Sequence, residues 1–220
     1  MATVTKWSNV AVAMQSALAA AKTISGITKA APGVVSSTAH GYSNGDYVFL
    51  TINGMWQLNG RVFRVASVAT DTFQLEDVSG GTGISTASFD TFTSGTAEKI
   101  TFGTSITTAV DMSVGGGNFA QIDTTTIHGN QKTSVPGLPD AMTFTFNNLW
   151  DPTDAGQSAM KSASDAQAKR AFKYTFGVGG KIMVFAGYVG FAGAPAGSAQ
   201  DKVTTQAVIT ADGTPTYYSA

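Results

Sequence analysis

The segment AMTFTFNNLWDPTDAGQSAMKSASDAQAKRAFKYTF, residues 141–176, decides the fold because its hydrophobic period changes twice. Apolar residues alternate with threonine over residues 142–146, which is the period of a half-buried β-strand. Alanines then recur at helical spacing over about residues 155–170, and Asp151-Pro152 supplies an N-cap followed by a proline at the first helical position. Alternation returns with three aromatic residues over residues 172–176. The segment predicts a strand, a helix and a strand, with an alanine face that lets the helix lie close against a sheet.

Short strands continue on both sides of this segment. Downstream, a glycine turn at residues 177–180 leads into a return strand at residues 181–186, and residues 202–210 predict a last strand. Upstream, residues 25–98 alternate short strands with turn sequences such as Ser43-Asn44-Gly45-Asp46, and no segment there reaches helical length. We therefore predict a mainly β protein: a β-sandwich or barrel with one flanking α-helix, preceded by a small, self-contained β-barrel.

The composition favours a subunit that assembles with its own copies. Of the 220 residues, 12% are charged and 43% are hydrophobic, and there are 25 glycines. A solvated monomer usually carries more charge, so we expect part of the surface to be buried against other copies. A net charge of −1 argues against binding nucleic acid by neutralising phosphates. The absence of cysteine excludes disulfides and thiolate metal sites.

Enzyme motifs are present only as fragments. Residues 41–45 match the G-x-S-x-G nucleophile elbow and follow His40, but an elbow requires a helix after the serine. Residues 46–52 predict a strand instead, so the match is interpreted as a tight turn. The remaining candidates are a second histidine and two carboxylate pairs: His128, Glu76-Asp77 and Asp151 with Asp154. Their positions suit a loop, a strand end and a helix cap, and we predict no enzyme activity, no cofactor and no metal site.

Residues 111–140 form a long, polar, glycine-rich segment that we predict to be a loop. No Lys-Ser/Thr follows its glycine triplet, which excludes a phosphate-binding loop, and its two prolines discourage a regular strand. With few apolar residues, it is expected to become ordered against a neighbouring subunit; the alternative is a loop packed on its own subunit. The candidate contact residues are Gly115, Gly116, Gly117, Asp123, Thr124, Thr125, His128 and Pro136.

Residues 140–217 resemble the core of the tail tube (major tail) proteins of long-tailed bacteriophages, the family of the phage lambda tube subunit. The shared pattern consists of a strand, a helix, a strand and a terminal turn: Ala141–Phe146, Gly156-Gln157-Ser158-Ala159, Arg170–Phe176 and Asp212-Gly213-Thr214-Pro215. Residues 121–125 and the loop after them resemble the family's long loop, which packs rings together. The resemblance implies a structural virion protein that forms hexameric rings stacked into a hollow tube for DNA ejection into the host.

Residues 27–97 are similar to a different module, the small β-barrel named FCCH in ubiquitin-activating enzymes. The similar stretches are Ile27–Val35, His40–Asp46 and Leu58-Asn59-Gly60-Arg61. Ubiquitin chemistry does not transfer, because the chain has no cysteine. We therefore expect a discontinuous tail tube domain, residues 1–26 and 99–220, with an outward-facing inserted barrel over residues 27–98. The lambda subunit differs in carrying its extra domain at the C-terminus.

The resemblance also implies partners and a location. The expected partners are copies of the chain itself, the tape-measure protein and passing DNA in the lumen, held without sequence-specific binding, and the tail terminator and tail tip proteins. No membrane partner is expected. The protein would lie in the virion tail, and in the host cytoplasm during assembly. The alternative is a carbohydrate- or receptor-binding virion module that acts through Trp56 of the inserted barrel, although packing of Trp56 on the barrel core is the favoured interpretation of that residue.

Overall fold

The computed structural model describes residues 9–78, 80, 82–177 and 180–219. Strand accounts for 49% of it and helix for 7%, which confirms the predicted mainly-β class with one helix. No helix within the described residues has the length and apolar character needed to cross a membrane. The predicted turns at residues 79–81 and 177–180 lie partly outside the described residues.

Sixteen strands and one α-helix make up the described part of the chain. The strands are β1 (Ala11–Leu18), β2 (Lys22–Ile24), β3 (Gly26–Ile27), β4 (Val34–Ser36), β5 (Tyr47–Asn53), β6 (Val62–Ala66), β7 (Thr72–Leu75), β8 (Ser94–Ile106), β9 (Ala109–Gly115), β10 (Phe119–Asp123), β11 (Ser134–Pro139), β12 (Thr143–Leu149), β13 (Lys169–Thr175), β14 (Ile182–Phe191), β15 (Thr204–Ala211) and β16 (Thr216–Tyr218). The helix, α1, spans Ala155–Asp165, and a short 3-10 turn spans Trp56–Leu58.

One antiparallel sheet contains fourteen of these strands. Its main path is β3-β4-β7-β6-β5-β8-β1-β13-β14-β15-β12-β9, while β2 pairs with β8 and β16 pairs with β14. The strands β10 and β11 form a separate two-stranded hairpin. The path places β9 at one end of the sheet, so one long side of β9 has no strand partner among the described residues.

The long strand β8 connects the two halves of the molecule. Residues 94–100 pair with β5, and residues 100–106 pair with β1. The boundary predicted between residues 98 and 99 therefore falls inside a continuous strand. The division into a tube domain and an inserted barrel stays a prediction, and β8 is the element that both units would share.

Two clusters of buried side chains fill the two halves. The C-terminal half is built around an aromatic stack in which the ring centroids of Phe144 and Phe185 lie 4.0 Å apart and those of Phe146 and Tyr174 lie 5.7 Å apart. The upstream half buries aliphatic and aromatic residues of its own strands. Phe144 and Phe146 confirm the alternation predicted for β12, because both are buried while Thr143 and Thr145 are only partly buried.

A third group, which we call the shared cluster, lies between the two halves. It joins Val62 of the upstream strands to residues of β8, β13, β14 and β16. Its buried members are Val62, Ile100, Ala171, Val184, Ala186 and Tyr218. The two halves therefore meet across a packed apolar contact as well as through β8.

The helix is shorter than predicted. Its N-cap is Asp154, whose Oδ1 accepts a hydrogen bond from the Gln157 N–H at 2.9 Å, so the assignment of Asp151-Pro152 to the cap and first turn was wrong. The predicted extension to Arg170 was also wrong. Gln167 has a positive φ of 48°, which ends the helical path, and residues 169–175 hydrogen-bond to β1 and β14 instead.

Candidate assembly interface

The segment 111–140, predicted to be a loop, contains most of β9 and the whole β10–β11 hairpin. That part of the prediction was wrong, because prolines exclude a strand only where their missing N–H is needed. Pro136 and Pro139 lie on β11, which pairs with β10 alone among the described strands. The strand therefore tolerates both prolines.

The glycine triplet forms the root of this hairpin. Gly116 and Gly117 have φ values of +76° and +77°, a region that side chains disfavour. A Cβ on Gly116 would lie 2.1 Å from the carbonyl oxygen of Ala141, and one on Gly115 would lie 3.0 Å from the Thr143 hydroxyl. The Gly117 N–H also donates to the Asp140 carbonyl at 3.1 Å. The triplet thus holds the hairpin against the start of β12.

Polar hydrogen bonds shape the outer half of the hairpin. The Asp123 carboxylate accepts the Thr125 N–H at 2.8 Å, and the Thr125 hydroxyl and amide hold the pKa of Asp123 below its usual value. The Thr124 N–H donates to the Thr133 carbonyl at 2.9 Å. His128 is exposed in the turn at the tip. The candidate residues predicted from sequence therefore lie together on one projecting hairpin and its root, although their contact role is untested.

Sequence reasoning missed the apolar side chains of this hairpin. Ile127 at the tip is 95% exposed and Leu138 on β11 is 85% exposed. The other exposed apolar residues of the hairpin are Phe119, Ile122 and Val135. An isolated two-stranded hairpin is marginally stable in water, and contiguous exposed apolar groups mark interaction sites. In the sequence these apolar residues stand singly among polar ones. That pattern is typical of a solvated loop, so the sequence did not predict an apolar surface.

An apolar groove of about 360 Å³ opens between β1 and β9. Its lining residues are Val10, Val12, Ala109, Val110, Asp111, Met112, Phe146 and Tyr174. The hydroxyl of Tyr174 is buried and has no hydrogen-bond partner among the described residues. Burial raises the pKa of the Tyr174 phenol well above its usual value. The groove thus combines an apolar lining with one polar group that lacks a partner.

The residues that resembled an enzyme site are used structurally. Gly45 has a positive φ, and the Ser43 N–H donates to the Asp46 carboxylate at 2.8 Å, which confirms a tight turn in place of a nucleophile elbow. His40 is buried, with its Nε2 donating to the Ala69 carbonyl and its Nδ1 accepting the Tyr42 N–H, each at 3.0 Å. Among the described residues, no three His, Asp or Glu side chains are grouped so that they could hold a metal ion.

Trp56 does not pack on the barrel core, so the favoured interpretation of this residue was wrong. Its side chain is 69% exposed, whereas Met55 and Leu58 on either side are fully buried and fill the space beneath the 3-10 turn.

The described residues form a large antiparallel sheet that ends at β9 and a hairpin whose apolar side chains are exposed. A family model described as "Phage tail tube protein, TTP" matches residues 53–220. The chain belongs to this family of phage tail tube proteins. It is a structural component of the virion tail and not an enzyme, and its family assembles into a tube in association with other tail components. No curated protein matches the chain.

Proposed function

We propose that this chain forms hexameric rings that stack into a tail tube through which DNA passes into the host. The observation that carries the proposal is the side of β9 that has no strand partner among the described residues, next to the exposed apolar hairpin. A free strand edge exposes backbone N–H and C=O groups that a neighbouring strand can pair with. A head-to-tail contact of this kind closes into a ring when the rotation between subunits permits it.

In this arrangement the sheets of neighbouring subunits join side by side. β9 would contribute its free edge, and Val110 and Val114 would lose their exposure in the contact. The hairpin would contact the neighbouring subunit or the next ring, since its apolar side chains gain little from their own subunit. This would order the hairpin and make polymerisation cooperative.

The outer face of β9, β12 and β15 is suited to line the lumen. Its side chains are mainly hydroxyls and amides, and its one charged group is Asp111. The residues on this face are Asp111, Ser113, Thr143, Thr145, Asn147, Gln206, Val208 and Thr210. DNA binds tightly where cations neutralise phosphates, so a face without cations lets the duplex slide.

A stacked tube would also have partners in its lumen and at its two ends. The tape-measure protein would occupy the lumen before DNA, and the tail terminator and tail tip proteins would cap the two ends. The inserted barrel, on the far side of the shared cluster, would face outward.

Negative-stain electron microscopy and light scattering of the purified protein at rising concentration test the proposal. We expect rings or tubes above a threshold concentration. Discrete monomers at every concentration would contradict it.

A second candidate function is receptor or carbohydrate binding by the inserted barrel, and the exposure of Trp56 favours it. Exposed tryptophan offers a flat apolar surface with an N–H donor. This function predicts that the Trp56→Ala variant loses adsorption to host cells while forming normal tubes. Equal adsorption of variant and wild-type virions would exclude it.

A further inference from the structure

We infer that the groove between β1 and β9 receives the tip of the β10–β11 hairpin from a second copy of the chain. The inference rests on the proposed tube function and adds the acceptor surface to it. The relevant tip is residues 124–133, with Ile127 at its most exposed point.

The first step is the match of apolar surface. Ile127 is almost entirely in water in the single chain, and removing the surface of an aliphatic side chain from water is favourable. The groove is lined by aliphatic and aromatic side chains, among them Val12, Met112 and Phe146. Its volume of about 360 Å³ lies within the range of sites that hold a small ligand or an anchoring side chain.

The second step is the hydroxyl of Tyr174. Tyr174 is one of the residues that line the groove, and its hydroxyl is buried without a hydrogen-bond partner among the described residues, which is costly for a polar atom. The hairpin tip is a turn at residues 126–129, and turns carry backbone carbonyls that can accept a hydrogen bond. Docking of the tip would supply the partner that the hydroxyl lacks.

The third step is charge. Asp111 is the one charged side chain among the residues that line the groove. Residues 124–133 of the hairpin contain Lys132 and His128 and no acidic residue. Lys132 of the tip would therefore meet Asp111 at the edge that the groove shares with the outer face of β9, which favours this pairing over contact between two tips.

The cleft beside α1 is a weaker acceptor. It is lined by the Lys161–Asp165 ion pair and by serines, and the Trp150 indole N–H that borders it already donates to the Gly193 carbonyl at 3.1 Å. None of the residues that line it carries a buried polar side-chain atom without a hydrogen-bond partner. The groove also borders β9, the strand whose free edge carries the proposed ring contact.

Cysteine crosslinking tests the inference directly, because the chain has no native cysteine. Protein carrying Ile127→Cys is mixed with protein carrying Val110→Cys, under assembly conditions with a mild oxidant. We expect a disulfide-linked dimer as the main product on a non-reducing gel. The matched control replaces Val110→Cys by Trp56→Cys, an exposed position on the inserted barrel, and should give little dimer.

A dimer yield no greater than that of the control would overturn the inference. Electron microscopy of the same samples separates this failure from failure of the proposed function. Tubes without the crosslink would leave the tube function standing and exclude the groove as acceptor. A strong crosslink without tubes would support the groove contact and contradict the tube.

The variant Tyr174→Phe gives an independent readout. Removing a hydroxyl without a partner should leave the melting temperature of the monomer unchanged or higher. If the docked tip bonds this hydroxyl, the concentration needed for assembly should rise about five-fold, the effect of one hydrogen bond. A purely structural role would lower the melting temperature and leave the assembly concentration as it is, and that result would contradict the role of Tyr174.

Discussion

At the scale of single residues, Tyr218 joins the C-terminal strand to the upstream half of the molecule. Its hydroxyl accepts the Arg64 N–H at 2.7 Å, and the Arg64 guanidinium lies 4.8 Å from the centre of its ring. The same guanidinium forms a paired contact with the buried carboxylate of Glu76. One tyrosine therefore packs in the shared cluster and satisfies a backbone donor of β6.

We expect Tyr218→Phe to lower the free energy of unfolding by roughly 1–3 kcal/mol, because the Arg64 N–H would lose its partner in a partly buried position. The matched control is Tyr217→Phe, next along β16, whose side chain is exposed and should cost less than about 0.5 kcal/mol. Chemical denaturation of both variants measures the difference. An equal decrease in the free energy of unfolding for both variants would show that the hydroxyl of Tyr218 does not stabilise the fold.

We expect ionisation of Tyr42 to lower the stability of the fold at alkaline pH. Burial, and then the carboxylates of Glu98 and Asp46, raise the pKa of Tyr42 to about 12. Its folded pKa lies above the usual value of about 10, so this contribution to stability is complete below pH ~10 and is lost as the pH rises toward 12. We expect the melting temperature to fall over that interval. Tyr42→Phe, which also loses the bond to the Ala97 carbonyl at 2.8 Å, should flatten that part of the profile.

At the scale of elements, the hairpin is the part that assembly should change most. In the single chain its strands pair only with each other among the described residues, so its amides should exchange quickly. We expect strong protection of residues 115–135 in the tube and fast exchange in the monomer, measured by hydrogen exchange on both. β12, which is paired on both sides, serves as the internal control. Similar exchange of the hairpin in both states would mean that it packs on its own subunit.

The sequence predicted strands correctly where the hydrophobic period of a segment matches the burial of its side chains in the fold. The alternation over residues 142–146 and 172–176 located β12 and β13, because their inward side chains fill one core. It failed where tertiary contacts decide the outcome. Residues 169–170 extend a helical pattern but pair in the sheet, and β16 is a three-residue strand after a proline, too short to give a period.

The contact role of the candidate residues stays a prediction. The glycine triplet at residues 115–117 was interpreted as a flexible part of a loop, whereas Gly116 and Gly117 have positive φ values at the root of the hairpin. The groove between β1 and β9 joins residues about a hundred positions apart in the chain. A local sequence pattern cannot predict that Val10 and Met112 lie close together, so the groove could be recognised only in the folded structure.

At the scale of the whole molecule, residues 27–98, the predicted inserted barrel, contact the rest of the chain more extensively than a tethered module would. The shared cluster and β8 both cross the predicted boundary. We expect a chain in which a short Gly/Ser linker replaces residues 27–97 still to form tubes, because β9 and the hairpin lie outside the deletion. Its melting temperature should nevertheless fall, since Ala171, Val184 and Tyr218 would be exposed.

Exposure of the shared cluster should also make the shortened chain less soluble. Adding Val184→Thr should then restore its solubility, because it replaces an exposed apolar side chain with a polar one. Electron microscopy and thermal unfolding of the two shortened chains measure both effects. A soluble, folded product that never polymerises would mean that the barrel belongs to the tube wall.

The charge pattern of the whole tube gives the last prediction. If the outer face of β9, β12 and β15 lines the lumen, cations placed there should hold DNA. Thr145→Lys with Gln206→Lys adds two such charges at half-buried and exposed positions of that face, which should leave the fold and the tubes intact. Each phosphate contact strengthens binding at low salt and steepens its salt dependence.

We therefore expect virions built from this double variant to eject their DNA more slowly at low ionic strength, with the difference shrinking as salt is added. The matched control is Thr70→Lys combined with Val78→Lys, two exposed positions in the upstream half of the molecule that carry the same added charge. Real-time fluorescence of a DNA-binding dye follows ejection from both. If the two variants slow ejection equally, the effect is one of net charge, and another face of the subunit lines the lumen.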